Sequence, residues 1–391
     1  AGVKRVVKDL KGHRVQDVAL IKAAHPGKDV TLSFDTRVQY AAYRELARGV
    51  AEHNATAGVL VSLDVNTGEV LAMANLPSYN PNNRKQLTVD ALRNRAVTDQ
   101  FEPGSTLKPF TVAAALESGK FNVHSHFNTS PGTYKVLNKL IRDHENYGVI
   151  DMPTLLTKSS NVASAQIAMA LPRDTLPLLH RRLGFGHRTG SGFPGESAGS
   201  MQPSNRWNPV EIATMSYGYG VTVTALQLAQ AYAVIASGGI QRPISFTKVT
   251  GPVPGKRILD EKIARAIIPM METVVTQEGT ALRAAVPGYR IAGKTGTAHK
   301  AQGGGYASDA YMSLFVGMAP ASAPRVVTAI IIDNPRQGGY YGGLAAAPVF
   351  SRMMSDTLRL MNIEPDRSAE RLAEQHRFPH PSTWARPGRE G

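Results

Sequence analysis

The segment that most constrains this chain is FEPGSTLKPF, which spans residues 101–110. Its Pro-Gly pair interrupts regular structure, and an apolar run follows over residues 109–116. The sequence therefore predicts a helix that begins near Ser105. Such a helix places Ser105 and Lys108 one turn apart on the same face, where their side chains can interact.

A serine three residues before a lysine, at the start of a helix, indicates nucleophilic chemistry. A serine hydroxyl is a weak nucleophile until a base removes its proton, and a lysine can be that base if burial or a second cation lowers its pKa. In the first turn of a helix, free backbone N–H groups are also available to stabilise an oxyanion. We therefore interpret Ser105 and Lys108 as candidates for acyl transfer.

The Ser-x-x-Lys pattern is weak evidence by itself. It also occurs at Ser245 and Lys248, in a segment that alternates like a strand and would point the two side chains to opposite faces. Two further motifs strengthen the interpretation: Ser-Ser-Asn at 159–161 precedes a small-residue helical run, and Lys-Thr-Gly at 294–296 lies in a strand-like context. The three motifs in this order form the signature of class A β-lactamases and penicillin-binding proteins.

On these motifs the chain resembles the penicilloyl-serine transferases. More narrowly, it resembles the division-specific class B penicillin-binding proteins of Gram-negative bacteria, which are septal peptidoglycan D,D-transpeptidases. The resemblance extends from about residue 29 to about residue 366. Further stretches that carry it are DVNTGEVLAM at 64–73, YNPNN at 79–83, YGYG at 217–220, YYGG at 340–343 and LMNIEP at 360–365.

The order of predicted elements favours an α+β fold. A hydrophobic content of 42% and a charged content of 19% are ordinary for a folded protein. We predict a five-stranded antiparallel sheet flanked by helices, with an inserted all-helical subdomain, which is similar to the penicillin-binding transpeptidase and serine β-lactamase-like fold. The expected elements are a helix over 35–51, a hairpin over 57–75, a helical segment over 151–170, strands over 289–298, 311–318 and 325–332, and a closing helix over 346–361.

The resemblance also implies a domain organisation. Residues 1–28 contain two short strand-like runs and would be the remnant of an N-terminal pedestal domain, residues 29–366 the transpeptidase domain, and residues 367–391 a disordered tail. No apolar run approaches the roughly 18 residues that a membrane helix needs. Because members of this group carry an N-terminal membrane anchor, we expect the periplasmic face of the inner membrane as the location, with the anchor outside this sequence.

Composition excludes several other functions. The chain has no cysteine, which excludes disulfides and thiol catalysis. Its net charge is +14, but no run of five like charges and no nucleic-acid signature accompany it, so no nucleic acid is expected as a partner. The stretch 121–147 contains His124, His126 and His144, but no carboxylate pairs with His124 and His126 at a ligand-like spacing, so we expect no metal site. No cofactor is expected.

The resemblance implies a role for each catalytic residue. Ser105 would attack the carbonyl between two D-alanines of a peptidoglycan stem peptide. Lys108 would act as its base, and Lys294 would be the cation that lowers the pKa of Lys108. Ser159 would relay a proton to the leaving amine.

The resemblance also implies a substrate-binding set. Asn161 would hydrogen-bond the side-chain amide of the acyl donor, and backbone N–H groups of Ser105 and Thr297 would form the oxyanion hole. Thr295 and Thr297, on either side of Gly296, would hold the terminal carboxylate. Three tyrosines, two of them beside glycines, would form an aromatic wall: Tyr311, Tyr340 and Tyr341. His299 stands where this group often carries Arg or Lys, which would weaken a second carboxylate contact or make it pH-dependent.

The expected partners are peptidoglycan stem peptides, β-lactams as covalent inhibitors, and membrane proteins of the divisome. Three other functions stay open at this stage. A β-lactamase or carboxypeptidase would use the same motifs with a deacylating base, for which Glu196 is the candidate. A β-lactam sensor would only become acylated, and a basic nucleic-acid binder would use the net charge.

Overall fold

The computed structural model describes residues 2–83, 85, 87–203, 207–302 and 305–367. The described residues divide into two compact units, the first ending at residue 32 and the second beginning at residue 33. The first unit is an antiparallel ribbon of β1 (Val3–Lys8) and β2 (Arg14–Lys22), with nearly every side chain exposed. The predicted disordered tail lies outside the described residues except at its first position, Arg367.

The second unit is built on a five-stranded antiparallel sheet, which confirms that prediction. Its strands are β3 (Ala57–Asp64), β4 (Val70–Leu76), β11 (Ala292–Gln302), β12 (Gly305–Ala319) and β13 (Val326–Asp333). Their order across the sheet is β11-β12-β13-β3-β4, and every neighbouring pair is antiparallel. The predicted hairpin at Asn66-Thr67-Gly68 joins β3 to β4, and Gly68 has the positive φ, 74°, that such a turn favours.

The segment inserted between β4 and β11 is mainly helical, but it is not all-helical as predicted. It also contains short strands, which pair as β5 with β8, β6 with β7, and β9 with β10. Strands of two to four residues of mixed polarity are too short to give a period-2 signal, so the sequence did not reveal them. Their bounds are β5 (His126–Asn128), β6 (Thr133–Val136), β7 (Lys139–Arg142), β8 (Val149–Asp151), β9 (Ile240–Gln241) and β10 (Lys256–Arg257).

Helices cover both faces of the sheet, and every residue of the interior strand β3 is therefore buried. The helices of the described residues are α1 (Thr36–Glu52), α2 (Val89–Leu92), α3 (Arg95–Thr98), α4 (Lys108–Glu117), α5 (Met152–Lys158), α6 (Asn161–Ala170), α7 (Thr175–Arg182), α8 (Pro209–Met215), α9 (Ala225–Ala236), α10 (Glu261–Glu272), α11 (Gly342–Ala345) and α12 (Ala347–Leu360). The amphipathic helices α1 and α12 pack against each other and on the sheet, while α9, which is buried nearly all round, packs against β3, β12 and β13.

One predicted helix is two helices. The segment expected to be helical over 151–170 breaks between α5 and α6, at Ser159 and Ser160. Ser159 takes the left-handed conformation, with φ 59° and ψ 43°, and Ser160 then caps α6 by accepting a hydrogen bond from the backbone N–H of Ala163. None of the helices in the described residues combines the length and apolar composition that crossing a membrane requires.

Candidate active site

Ser105 lies on a short 3-10 helix, Gly104–Leu107, that leads directly into α4. A side chain of α9 holds this turn, because the Tyr232 hydroxyl donates to the Thr106 carbonyl at 2.7 Å. The backbone of Gly218 packs so closely that a Cβ there would lie 2.0 Å from the Gly104 carbonyl oxygen, so only glycine fits. In this turn, the Lys108 Nζ lies 3.0 Å from the Ser105 Oγ.

The break at Ser159 brings a second motif to the same lysine. The Ser159 Oγ lies 3.0 Å from the Nζ of Lys108 and 3.0 Å from the Nζ of Lys294, and the Ser159 carbonyl also accepts from Lys108. A continuous helix would direct this carbonyl along the helix axis instead. The strained left-handed conformation therefore lets Ser159 bridge the two lysines.

Lys108 has four oxygen neighbours, and their chemistry fixes how it can bond. Two of them, the Ser159 carbonyl and the Asn161 Oδ1 at 2.7 Å, can only accept. A neutral lysine has two N–H donors and one lone pair, so donating to both acceptors leaves the lone pair for a hydroxyl. The Ser105 hydroxyl, at 3.0 Å, can donate to that lone pair. This is the geometry of a general base beside its nucleophile.

The two lysines are fully buried, and their pKa values reflect it. Burial lowers the pKa of Lys108 well below its usual range, and the nearby Lys294 ammonium lowers it further. Burial lowers the pKa of Lys294 to about 7. In the part of the chain that the structure describes, neither lysine forms an ion pair with a carboxylate. Lys294 is therefore partly neutral near pH 7, and the lowered pKa of Lys108 favours its neutral form, as a general base requires.

Strand β11 forms the opposite wall of the site. Gly296 lies against the 3-10 turn, where a Cβ would be only 2.9 Å from the Pro103 carbonyl oxygen. The hydroxyls on either side are held, since Thr295 Oγ1 lies 2.7 Å from Thr280 Oγ1, and Thr297 Oγ1 accepts from the Gly342 N–H at 3.2 Å. Gly296 thus allows the strand to approach the nucleophile closely.

A cavity of about 590 Å³ opens over these groups. It is lined by the predicted residues Ser105, Ser159, Asn161, Thr295, Gly296, Thr297, Tyr311, Tyr340 and Tyr341. Lys108 and Lys294 lie behind this lining, and they reach the cavity through the two serines they contact. The structure therefore brings together every predicted catalytic and substrate-binding residue.

The predicted tyrosines stack in a row along the cavity. The Tyr311 and Tyr340 ring centroids are 4.0 Å apart and nearly parallel, and those of Tyr340 and Tyr341 are 4.6 Å apart. His299 extends the row at one end, 4.6 Å from Tyr311, with its Nδ1 3.1 Å from the Ala307 carbonyl oxygen. At the other end His144 meets Tyr341 edge-on at 6.0 Å.

Sequence reasoning missed Asp143. Its carboxylate accepts from the Ser160 hydroxyl at 2.6 Å and from the backbone N–H groups of Asn161 and Val162 at 2.5 and 3.0 Å. It therefore holds the start of α6, which carries Asn161. The residue lies in an irregular stretch with no periodic pattern, so no sequence signal identifies it.

Other candidates from the sequence lie elsewhere. Glu196 is buried in its own loop, where Thr189 and Ser191 donate to its carboxylate, and it does not line the cavity. Lys248 of the second Ser-x-x-Lys match pairs with Glu69. Among the described residues, no three or more metal-ligating side chains form a cluster, and this holds for the three histidines as well.

Comparison with known proteins gives a consistent result. A family model described as the penicillin binding protein transpeptidase domain matches residues 58–355. The chain is 46% identical over 367 residues to the peptidoglycan D,D-transpeptidase FtsI of Escherichia coli strain K12, covering 93% of this chain and 62% of that protein. It is 42% identical over 375 residues to the probable peptidoglycan D,D-transpeptidase PenA of Neisseria flavescens, covering 95% of this chain and 93% of that protein.

A solved structure agrees with these relatives. The apo structure of the TP domain from Burkholderia pseudomallei penicillin-binding protein 3 superposes with a TM-score of 0.80 at 39% identity. The match covers 88% of this chain and 100% of that one. This chain thus spans a whole domain of that kind but only 62% of the length of the Escherichia coli relative.

Proposed function

This chain belongs to the penicillin-binding protein transpeptidase family, and from that premise we propose that it is a serine-type peptidoglycan D,D-transpeptidase of cell division. Its substrates are stem peptides that end in D-Ala-D-Ala, which it cross-links in septal cell wall synthesis. β-Lactams acylate the same serine. The observation that carries this proposal is the contact of the Ser105 hydroxyl with a buried lysine, Lys108, whose other partners leave a lone pair for it.

The first half of the reaction forms an ester. The Ser105 Oγ bonds to the carbonyl carbon between the two D-alanines while its proton passes to the Lys108 amine. Backbone N–H groups of Ser105 and Thr297 stabilise the oxyanion. The carbon–nitrogen bond then breaks, and the terminal D-alanine leaves as an amine after taking a proton through Ser159, which contacts both lysines.

The second half reverses these steps with a new amine. The acceptor amine of a second stem peptide attacks the ester carbon and loses a proton to the site. The carbon–oxygen bond to Ser105 breaks, and the serine oxygen regains its proton from Lys108. Because the acyl-enzyme must survive until the acceptor arrives, activated water must be absent. The placement of Glu196 away from the cavity supports this requirement.

The remaining residues bind the acyl donor. Asn161 donates one amide N–H to the Arg142 carbonyl at 3.0 Å and keeps its second N–H for the side-chain amide of the donor. Thr295 and Thr297 hold the terminal carboxylate on either side of Gly296. The stacked tyrosines 311, 340 and 341 pack against the apolar parts of the ligand.

We also propose a wider context, on the resemblance to the division-specific class B penicillin-binding proteins. Residues 1–28 are the end of a pedestal domain and 29–366 the transpeptidase domain. The protein is anchored at the periplasmic face of the inner membrane through a segment outside this sequence, and its partners are membrane proteins of the divisome. Co-purification from cells tests this assignment. It compares a full-length form that has its membrane segment with a form that lacks the segment.

Mass spectrometry after penicillin treatment tests the proposed chemistry. We expect one adduct of the mass of penicillin, located at Ser105 and stable for minutes or longer. Ser105→Ala should give no adduct while keeping the fold. Ser245→Ala, in the second Ser-x-x-Lys match, is the matched control and should label normally. An adduct that turns over within seconds would instead identify a β-lactamase. If no adduct forms at Ser105, the acyl-transfer proposal is refuted.

A further inference from the structure

The carboxylate of Asp143 is tied to the start of α6 by three hydrogen bonds. It accepts from the Ser160 hydroxyl and from the backbone N–H groups of Asn161 and Val162. A helix start leaves such N–H groups without intrahelical partners, and an acid there is favourable. Ser160 already caps α6 through its own side chain, so Asp143 adds an anchor from outside the helix.

This anchor determines how the Asn161 amide is turned. The Nδ2 of Asn161 donates to the carbonyl of Arg142, the residue before Asp143. The Oδ1 must then face the other way, and it accepts from Lys108 at 2.7 Å. Because that bond uses one Lys108 N–H, it helps to direct the lone pair of the amine toward Ser105. The loop at 142–143 thus reaches the nucleophile through Asn161 and Lys108.

Asp143 also acts on the lysine through its charge. The Asp143 carboxylate raises the pKa of Lys108 and so opposes burial and the Lys294 ammonium, which lower it. Three ionisable groups that follow Asp143 line the cavity: His144, Glu145 and Tyr147. The pKa of Tyr147 is raised to about 12 by burial, by Asp143 and by Glu145. The ion pair of Lys158 with Glu278 lies at the cavity rim.

We propose that Asp143 is a positioning residue for the acyl transfer. Its carboxylate fixes the start of α6, aims Lys108 at Ser105 through Asn161, and sets the pH range in which the site reacts. This role rests on the proposed function, and Asp143 itself contacts neither the reacting bond nor the nucleophile.

A purely structural helix anchor is the alternative, and the chain offers a matched control for it. Asp151 accepts from the backbone N–H of Thr154 at 2.9 Å and so caps α5, the helix just before the motif. Its carboxylate has no contact with Lys108 or Asn161 among the described hydrogen bonds. Asp151→Asn therefore measures what the loss of a capping charge does by itself.

The test is the second-order rate of acylation by a fluorescent penicillin, measured from pH 5 to pH 10 on wild type, Asp143→Asn, Asp143→Glu and Asp151→Asn. For Asp143→Asn we expect a maximal rate about 10- to 100-fold lower, because Asn161 and Lys108 lose their alignment. Its acid limb should move to lower pH, because the group that raises the pKa of Lys108 has lost its charge. Asp143→Glu should keep the acid limb and lose rate, and Asp151→Asn should change neither.

Each other outcome contradicts the proposal. Asp143→Asn with an unmoved acid limb and a rate within about twofold of wild type would overturn it. So would Asp151→Asn with the same loss as Asp143→Asn at equal thermal stability. If Asp143→Asn does not fold, acylation of Asp143→Glu at the wild-type rate would overturn the proposal instead. A wild-type protein without a Ser105 adduct would instead refute the proposed function.

Discussion

Two lysines are buried beneath the candidate site, and two arginines border a buried glutamate between α1 and α12, yet the two clusters are built differently. Glu45 is buried, and its carboxylate accepts from Arg44 at 2.7 Å and from Arg352 at 2.6 Å. Lys108 and Lys294 instead contact neutral hydroxyl, carbonyl and amide oxygens.

The difference appears in the pKa values of the cations. The pKa of Arg44 is raised by its hydrogen bonds to Glu45 and Asp356, which fixes its charge. Burial without a paired anion lowers the pKa of both lysines, which frees their protons. The arginines paired with Glu45 hold two helices together. The two lysines have no paired carboxylate, so their burial destabilises the charged form and makes the amines more reactive. Mutations should therefore separate stability from activity.

The largest effect is expected from Lys108→Met, which removes the proposed base and keeps the length of the side chain. Acylation by a fluorescent penicillin should fall about 10³-fold, the middle of the range for loss of a general base. The free energy of unfolding should change by no more than about 1 kcal/mol, because the hydrogen bonds lost by Ser159 and Asn161 offset the relief from burying an amine.

Urea denaturation and labelling kinetics check this prediction together. Lys248→Met is the matched control, because Lys248 belongs to the second Ser-x-x-Lys match and pairs with Glu69. It should acylate at the wild-type rate. Acylation of Lys108→Met within tenfold of wild type would show that another group is the base.

The sequence predicted the sheet and the three motifs because both have strong local signals. Asn66-Thr67-Gly68 between apolar runs identifies a hairpin, and Ser105 with Lys108 follows a Pro-Gly break. The resemblance to penicillin-binding transpeptidases is confirmed by the family match and by relatives at 42–46% identity. Residue roles that came from this resemblance stay predictions until variants are measured.

What the sequence could not predict depends on contacts between distant residues. A left-handed serine such as Ser159 has no sequence signature, since glycine and asparagine are the usual residues there. Asp143 lies 17 positions before Ser160, and only the folded loop brings them together. The full burial of Lys108 also follows from packing, because α4 packs against α5, α6, α7 and α10.

His180 sharpens the comparison, because it is a buried ionisable group with neither a paired charge nor a catalytic contact. It is fully buried in α7 against Phe185, and in the described structure neither ring nitrogen has a hydrogen-bond partner. Burial lowers the pKa of His180 from 6.5 to about 4. Above pH 6.5 both folded and unfolded forms are neutral, so the full stability is present.

As the pH falls below 6.5, His180 binds a proton in the unfolded chain but not in the folded state. The free energy of unfolding therefore decreases down to about pH 4. The loss should reach about 2 kcal/mol at pH 5 and about 3 kcal/mol at pH 4. His180→Met should lose less stability between pH 7.5 and pH 5 in urea denaturation. His124→Gln, at an exposed position, should follow wild type. Equal pH dependence of His180→Met and wild type would contradict the assignment.

The smallest effect is expected in the paired cluster, from Glu45→Gln. Loss of the carboxylate leaves Arg44 and Arg352 facing a neutral amide, and removal of one partner of a buried pair costs about 3–5 kcal/mol. Both arginines reach solvent, with 46% and 28% of their side chains exposed, so we expect about 2 kcal/mol in the free energy of unfolding. The acylation rate should stay at the wild-type value, because α1 and α12 carry no residue of the candidate site.

Glu52→Gln is the matched control for this cluster. Glu52 pairs with Arg48 and Arg352 at a side-chain exposure of 43%, so its loss should cost less than about 1 kcal/mol. If Glu45→Gln slows acylation as much as it destabilises the fold, the two clusters are coupled through the sheet, and the separation of stability from reactivity fails. If Glu45→Gln changes neither the acylation rate nor the free energy of unfolding, solvent already screens the pair, and α1 and α12 are held by apolar packing alone.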